Sequence, residues 1–260
     1  MRALALIAAL LVSSAAAAET KLDGQLVQGG LVLGQTAPGT SVKLDGRTLL
    51  VDKDGRFVIG FGRDAKTALL EVGAERRELE IKPRTFDIQR IEGLPEAQVT
   101  PPPAVLERIK RENVAIAATK VRNTPERWFE KGFTWPADGP ISGVYGSQRI
   151  LNGQPRAPHY GLDIAAPVGA PVRASTAGIV ALADKDLYFT GGTVIIDHGF
   201  GLAGVYAHLS RLDVKMGDRV EQGQVIGAVG ATGRVTGPHL HWALNWFDIR
   251  LDPQLLVPAR

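Results

Sequence analysis

The sequence predicts a mostly β protein with three parts: a small N-terminal β-sandwich-like domain, a linker helix, and a C-terminal antiparallel β barrel-like domain. Short apolar segments alternate with glycine-containing turns in both halves of the chain, which is typical of antiparallel strands. Three consecutive prolines, residues 101–103, interrupt this pattern, and the apolar residues after them recur at helical spacing. A chain of 260 residues has room for two domains of modest size.

The first 18 residues have the pattern of an export signal. Arg2 precedes an apolar run, residues 3–12, that is short for a membrane span, and the small residues after it suit cleavage behind Ala18. An uncleaved anchor is the alternative interpretation. We expect cleavage, no stable membrane insertion afterwards, and a mature chain that is secreted across the inner membrane into the periplasm.

Residues 19–98 are predicted to form the β-sandwich-like domain. Turn signals such as Asp45-Gly46 and Asp54-Gly55 separate its apolar segments. Because the region contains no histidine and its acidic residues lie mostly in turns, we expect a spacer or shield, with a binding role as the alternative. The predicted strands are 25–28, 41–44, 56–59, 67–72 and 77–81.

Residues 99–131 are predicted to form a Pro-rich spacer and a linker helix. Pro103 suits the first turn of a helix and Pro125 restricts the residue before it, so a helix over 104–122 is expected. Its mixed charge favours a packed connector over a helix on a membrane surface. The apolar face is predicted to consist of Val105, Leu106, Ile109 and Ile116.

The composition excludes several classes of function. The absence of cysteine excludes disulfide staples and thiol catalysis. The 30 basic and 27 acidic side chains give a formal charge of only +3, and the basic residues are dispersed. Since no nucleic-acid motif is present either, we expect no nucleic-acid partner.

Residues 132–260 are predicted to form the C-terminal domain, which begins with a strand at 140–146 and a loop at 147–153. Arg149 and Arg156 flank this loop. A guanidinium group is well suited to pair with a substrate carboxylate, whereas a loop arginine that faces solvent is the alternative for both.

A weak internal similarity follows, between residues 167–180 and residues 216–227. Short strands joined by glycine turns at this spacing favour a compact antiparallel barrel or curled sheet. The second copy also resembles the hairpin of lipoyl and biotinyl carriers, but Lys215 does not lie at the hairpin tip where a carrier displays its lysine. We therefore interpret the similarity as shared strand and turn architecture.

All five histidines of the chain fall in its last half. His159 and Asp163 are four residues apart in an extended-looking segment, so their side chains point to the same side. Alternation puts His239 and His241 on one face, and His208 lies in a further strand-like segment. Two imidazoles and one carboxylate, with a position left to water, form a typical catalytic zinc site. The spacing thus predicts zinc on His159, Asp163 and one histidine of the last pair, with the remaining two free for proton transfer.

Three motifs carry a resemblance to a known family. Residues 159–163, 206–209 and 236–241 resemble the signature motifs of the LytM/lysostaphin-type zinc metallopeptidases, which cleave peptide bonds in bacterial peptidoglycan. The resemblance covers roughly the last half of the chain. It implies a duplicated-hybrid-motif fold, a glucose-permease-like barrel, for the metallopeptidase domain.

The resemblance also implies a role for each of the five residues. His159, Asp163 and His241 would bind Zn²⁺, and His208 and His239 would be the catalytic histidines outside the metal shell. All five positions match the family pattern, whereas some relatives have lost ligands and act only as regulators.

The implied activity is a zinc-dependent endopeptidase that hydrolyses peptide cross-links of peptidoglycan with a zinc-bound water as nucleophile. A D-alanyl to diaminopimelyl cross-link is favoured over a glycyl bridge, because no wall-binding repeat is evident. The expected partners are stem peptides and a cell-wall protein. Two alternatives stay open: a noncatalytic LytM-type activator of a cell-wall amidase, and a wall-binding module whose metal is structural and closed by four protein ligands.

His198 is the histidine outside these motifs. It is predicted at a hairpin turn, where Gly199 and Gly201 provide positions free of the usual φ restriction. We expect its ring to be satisfied by backbone or solvent, with metal binding as the alternative, and its loop to line the substrate groove.

Overall fold

The computed structural model describes residues 20–93 and 100–260. The export signal predicted for residues 1–18 lies outside the described residues, as does most of the junction between the first domain and the spacer. Within the described residues, no helix is long and apolar enough to cross a membrane.

The N-terminal region consists of two small antiparallel sheets. One has the strand order β1-β2-β5 and the other β4-β3-β6-β7, and buried apolar side chains of both sheets belong to one core. The strands are β1 Lys21–Gly24, β2 Leu31–Gln35, β3 Val42–Leu44, β4 Arg47–Thr48, β5 Arg56–Gly60, β6 Thr67–Val72 and β7 Glu75–Glu80.

One predicted strand of this region is wrong. Residues 25–28 form tight turns, and only Val27 makes an isolated bridge, to Lys82. Gly24 and Gly29, at φ of 129° and 82°, interrupt the extended conformation on both sides. The apolar alternation that the sequence placed here belongs to β2, a few residues further along the chain.

Helix α1 spans Pro103–Lys120, with Pro103 in its first turn, so the prediction of a helix over 104–122 is confirmed. It packs by one face against the C-terminal sheet. Of the predicted apolar face, Val105, Ile109 and Ile116 are half-buried, whereas Leu106 is 49% exposed. Glu112 is half-buried as well. Polar contacts contribute to the packing, since the Glu112 carboxylate accepts hydrogen bonds from Arg108 Nε and from the Tyr188 backbone N–H.

The predicted loop at 147–153 is instead a hairpin, which joins a strand from the N-terminal side. Strand β8, Ile88–Ile91, pairs in parallel with β10, Gln148–Leu151, which pairs in turn with β11, Gln154–Pro155. The extended conformation of β10 depends on a partner that is distant in the sequence, so local composition could not reveal it.

The C-terminal region is built on a ten-stranded sheet with the path β17-β14-β15-β16-β19-β12-β9. The sheet is not closed, since its path ends on the short strands β17 and β9. The mostly β, barrel-like prediction is therefore confirmed, with an open sheet. The strands are β9 Ile141–Gly143, β12 Leu162–Ala165, β13 Pro171–Arg173, β14 Gly178–Leu187, β15 Gly191–Gly199, β16 Leu202–Leu212, β17 Arg219–Val220, β18 Val225–Val229, β19 His239–Trp246 and β20 Ile249–Leu251. Two 3₁₀ helices, Trp128–Lys131 and Pro253–Leu256, complete the fold.

Two apolar cores meet behind strand β19. Leu240 and Trp242 lie in a core within the C-terminal region, whereas Leu244 and Trp246 lie in a core shared with the N-terminal sheets. All four side chains are at most 1% exposed. The N-terminal sheets are thus packed directly on the C-terminal sheet, and alternation leaves the histidines of β19 on its opposite face.

Candidate metal centre in a cleft

Strand pairing brings Asp163, His239 and His241 together. Strands β12 and β19 are antiparallel, with Asp163 opposite His241 and Ala165 opposite His239. His159 lies just before β12, where its backbone N–H donates to Ser147 O and its C=O accepts from the Gly146 N–H. The register of two strands and one anchored turn therefore fixes where these side chains point.

The three predicted ligand atoms form a nearly equilateral triangle. Asp163 Oδ1 lies 3.0 Å from His159 Nε2 and 2.8 Å from His241 Nδ1, and the two nitrogens are 3.0 Å apart. Donors about 2 Å from a common zinc ion lie roughly 3.3 Å apart in tetrahedral geometry. The triangle therefore fits a zinc ion after shifts of a few tenths of an ångström.

Further contacts orient the members of this triangle. His159 Nδ1 lies 3.1 Å from Val144 O, and since a carbonyl only accepts, Nδ1 carries the proton and the Nε2 lone pair faces the triangle. Arg149 Nη2 lies 3.3 Å from Asp163 Oδ2, the oxygen outside the triangle. Arg149 therefore contacts the candidate metal centre, and its solvent-facing alternative is wrong.

The pKa values of the triangle's side chains favour the binding of a cation. Burial alone would raise the pKa of Asp163, but its close contacts with the rings of His159 and His241 hold that pKa well below its usual range. Burial lowers the pKa of His241 to about 4 against the opposing effect of Asp163. At neutral pH Asp163 is thus negative and the His241 imidazole neutral, which is the protonation state that a metal requires of these two groups.

The other two site histidines lie beside the triangle. The rings of His208 and His239 have centroids 4.8 Å apart, and His239 Nε2 is 3.7 Å from Asp163 Oδ1. Each donates from Nδ1 to a backbone carbonyl, His208 to Thr232 at 2.8 Å and His239 to Gly237 at 2.9 Å. Both rings therefore have their Nε2 atoms unprotonated when neutral.

A single loop, residues 230–238, supplies the backbone carbonyls that accept hydrogen bonds from both of these histidines. Besides accepting from His208 through its carbonyl, Thr232 accepts from the Gly192 N–H at 2.9 Å and donates to Leu209 O at 3.0 Å. His208 itself has φ of 65°, at a bulge in β16, a conformation that costs free energy for a residue with a Cβ. The Thr232 hydroxyl thus fixes the loop to Gly192 and Leu209, next to the point where the backbone of His208 is strained.

The five residues line one cleft of about 600 Å³. Helix α1 and strand β8 contribute its other wall, through side chains that include Gln89, Ile91, Ile116 and Lys120. Sequence reasoning missed this wall, because its residues carry no motif and reach the cleft only through long-range packing.

His198 does not belong to this cleft. It lies on strand β15, with 0% of its surface exposed, and its Nδ1 donates to Ala177 O at 2.7 Å. Its Nε2 is buried and has no hydrogen-bond partner among the described residues, and Phe133 packs edge-on at 6.0 Å between ring centroids. The prediction of a turn histidine that lines the groove is therefore wrong, although the expected backbone hydrogen bond is present.

Comparison with known proteins agrees with this geometry. The model of Peptidase family M23 matches residues 157–253. A crystal structure from Pseudomonas aeruginosa, described as a peptidase M23, is 32% identical, covers 89% of this chain and 94% of that chain, and has a TM-score of 0.68. This chain belongs to Peptidase family M23.

Other M23 relatives are named for the cell wall or for cell division. Peptidoglycan DD-endopeptidase ShyA of Vibrio cholerae is 49% identical over 34% of this chain and 20% of its own length. Cell division protein DipM of Caulobacter vibrioides is 34% identical over 62% of this chain and 26% of its own length. The matched part of this chain thus spans about a fifth to a quarter of the length of these relatives.

Proposed function

We propose that this M23 protein is a zinc-dependent endopeptidase that hydrolyses peptide cross-links of bacterial peptidoglycan. One observation carries the proposal: donor atoms of His159, Asp163 and His241, from two segments far apart in the chain, converge within 3.0 Å of one another in a cleft. These three residues are the proposed zinc ligands.

The donor set suits the metal and the reaction. Zinc on two imidazoles and one carboxylate supplies a Lewis acid and makes a bound water acidic near neutral pH. Asp163 offers only Oδ1 to the triangle, because Oδ2 is engaged by Arg149. A single oxygen and two nitrogens leave the fourth position open, as catalysis requires and a structural site does not.

Proton transfer falls to the two remaining histidines. His208 and His239 present Nε2 to the cleft, since their Nδ1 atoms donate to the loop carbonyls. One imidazole can take the proton of the attacking water, and the imidazolium can give a proton to the amine nitrogen that leaves. The other can donate a hydrogen bond to the oxygen that becomes negative as the carbonyl is attacked.

The substrate class follows from the relatives and from the cleft. ShyA is named as a peptidoglycan DD-endopeptidase and shares 49% identity over the aligned region. The cleft, about 600 Å³ in volume, has room for an extended peptide. The proposed bond is a D-alanyl to diaminopimelyl cross-link, and the proposed location is the periplasm.

A second candidate is a noncatalytic regulator of another wall enzyme. The alignment with DipM, a cell division protein, extends over 62% of this chain and is longer than that with ShyA. A regulator has no need of a complete ligand triangle with two further histidines beside it. The hydrolase is therefore the better-supported function.

Digestion of purified, cross-linked peptidoglycan by the zinc-loaded chain tests the proposal. A sample with chelator and the variant His208→Ala serve as controls, and mass spectrometry identifies the released fragments. New peptide ends that disappear in both controls are the expected result. If the wall is bound but not cut while zinc is retained, the regulator becomes the better description.

A further inference from the structure

The backbone turn at residues 144–147 binds the proposed zinc ligand His159 at three points. Val144 O accepts from His159 Nδ1 at 3.1 Å. Ser147 O accepts from the His159 backbone N–H at 2.8 Å, and the Gly146 N–H donates to His159 O at 2.7 Å. Because both the ring and the backbone of His159 are bonded to this one turn, a shift of the turn would move the ring nitrogen that faces the metal triangle.

Two side chains of the N-terminal region contact this turn. Arg63, from the loop between β5 and β6, donates from Nε to Gly146 O at 2.6 Å. Phe86, which precedes β8, packs on Gly146 so closely that a Cβ there would lie 2.1 Å from its ring. Gly146 also has φ of 86°, so a glycine is needed at this position both for the backbone conformation and for the contact with Phe86.

The two contacting side chains are themselves well anchored. The Arg63 guanidinium carbon lies 4.6 Å from the centroid of the Phe86 ring, and Arg63 Nη1 is bound to Asp64 at 2.7 Å. A second guanidinium, that of Arg84, lies 5.4 Å from the Phe86 ring and pairs with the buried carboxylate of Asp252 at 2.7 Å. Only 17% of the Arg63 side chain is exposed. Its bond to Gly146 O has a charged donor, and such bonds are about twice as strong as those between neutral groups.

We propose that Arg63 and Phe86 are positioning residues of the metal site, which fix through the turn 144–147 where His159 presents Nε2 to a divalent cation. The inference rests on the role of His159 as a zinc ligand in the proposed function. Neither Arg63 nor Phe86 is among the described residues that line the cleft, so both act through His159. The N-terminal region thus takes part in building the metal site, beyond the spacer or shield expected from the sequence.

Zinc affinity of the full chain, measured by competition with a chelator, tests the inference. Arg63→Met removes the donor and the charge, and should weaken zinc binding by about tenfold, the lower end of the loss typical of groups that orient a metal ligand. Phe86→Leu should have a similar effect, because it removes the ring that packs on Gly146. Arg63→Lys keeps a charged donor and should recover part of the affinity.

Arg47 provides a matched control. It too lies in the N-terminal region, donates to Asp248 of the C-terminal region at 2.6 Å, and has its guanidinium carbon 4.6 Å from the centroid of the Phe247 ring. These partners lie in the turn between β19 and β20, whereas Arg63 binds the turn beside His159. Arg47→Met is therefore expected to keep the zinc affinity of the wild type. An equal loss in Arg47→Met would show a general loosening between the two regions and would overturn the inference.

Nitrogen NMR of the zinc-free chain provides a readout that needs neither metal nor activity. Because Nδ1 of His159 donates to Val144 O, the ring should be protonated at Nδ1, and this proton should exchange slowly with water. Loss of the signal in His159→Gln assigns it. Arg63→Met should give a mixture of tautomers or faster exchange of the Nδ1 proton, whereas Arg47→Met should leave both as they are in the wild type.

The measurements distinguish failure of this inference from failure of the proposed function. A wild type that binds zinc but cuts no peptidoglycan overturns the hydrolase alone, since the losses in Arg63→Met and Phe86→Leu are measured without turnover. Unchanged zinc affinity in these two variants, or an unchanged His159 signal, overturns the positioning role and leaves the hydrolase intact.

Discussion

Two buried histidines on neighbouring strands make the same kind of backbone hydrogen bond but lie beside different side chains. His198 on β15 donates from Nδ1 to Ala177 O, and His208 on β16 donates from Nδ1 to Thr232 O, at 2.7 and 2.8 Å. Burial lowers the pKa of both, to about 4 and about 3. Their Nε2 atoms differ: that of His198 is enclosed near Phe133, whereas His208 lies beside His239 in the cleft.

The comparison teaches that burial and a depressed pKa do not identify a functional histidine. Both features follow from removing an imidazole from water, wherever the ring lies in the sheet. What distinguishes His208 is the group of polar side chains that the strand register brings to the same face. Substitutions at the two histidines and at the residues around His208 test this distinction.

The substitution His208→Ala is expected to have the largest effect, which is a loss of hydrolytic activity. Loss of a general acid or base lowers kcat by about 10²- to 10⁴-fold, and zinc content should be unchanged because the metal triangle is intact. His198→Asn, which can still donate to Ala177 O, should alter kcat by less than about twofold, since His198 lies outside the cleft. Rate and zinc assays of both variants decide; similar rate losses would remove the proposed distinction.

A second effect of burial is expected in the stability of the fold against pH. An unfolded chain protonates His198 near pH 6.5, but the folded chain does so only near its pKa of about 4. Its contribution to stability is thus complete above pH 6.5 and is lost as the pH falls toward 4, by up to about 3 kcal/mol in the free energy of unfolding.

Denaturant titrations of wild type and His198→Asn between pH 4 and pH 7 measure this term. The asparagine variant should be less stable at pH 7 by about 1–2 kcal/mol through lost packing, and should lose less stability on acidification than the wild type. Parallel pH curves for the two proteins would contradict the assignment.

An intermediate effect is expected for Arg149, the residue that holds the carboxylate of Asp163. Arg149→Gln removes the charged partner of Asp163 Oδ2, and loss of such an outer contact typically costs about 10- to 100-fold in metal affinity or activity. Competition with a chelator gives the zinc affinity, and Arg149→Lys should recover part of it. Unchanged affinity in Arg149→Gln would show that the histidines alone position Asp163.

The smallest effect is expected at the clamp beneath His208. Thr232→Val keeps the carbonyl that accepts from His208 but removes the hydroxyl that joins the Gly192 N–H and Leu209 O. Leaving a backbone donor unpaired costs about 1–3 kcal/mol of stability, and kcat should fall about tenfold with KM nearly constant, as expected when a catalytic group is misplaced. Thr232→Ser should restore both, whereas a fall in stability alone would limit Thr232 to a structural role.

The mostly β fold, helix α1 and the candidate site residues could be predicted from the sequence. His159 and Asp163, four residues apart, and His239 and His241, two apart, follow the two-residue period of strands. Local spacing of this kind is a property of the chain, so it can be read without a structure. The roles of the five residues remain predictions until metal and activity are measured.

Tertiary structure alone decided what surrounds them. The pairing of β8 with β10 turned a predicted loop into a strand, and packing of α1 made it a wall of the cleft. It also enclosed His198, which the sequence placed in a turn, and brought Arg234 to the cleft that holds Arg149. These outcomes depend on contacts between residues far apart in the chain, and such contacts leave no periodic signal in the sequence around either partner.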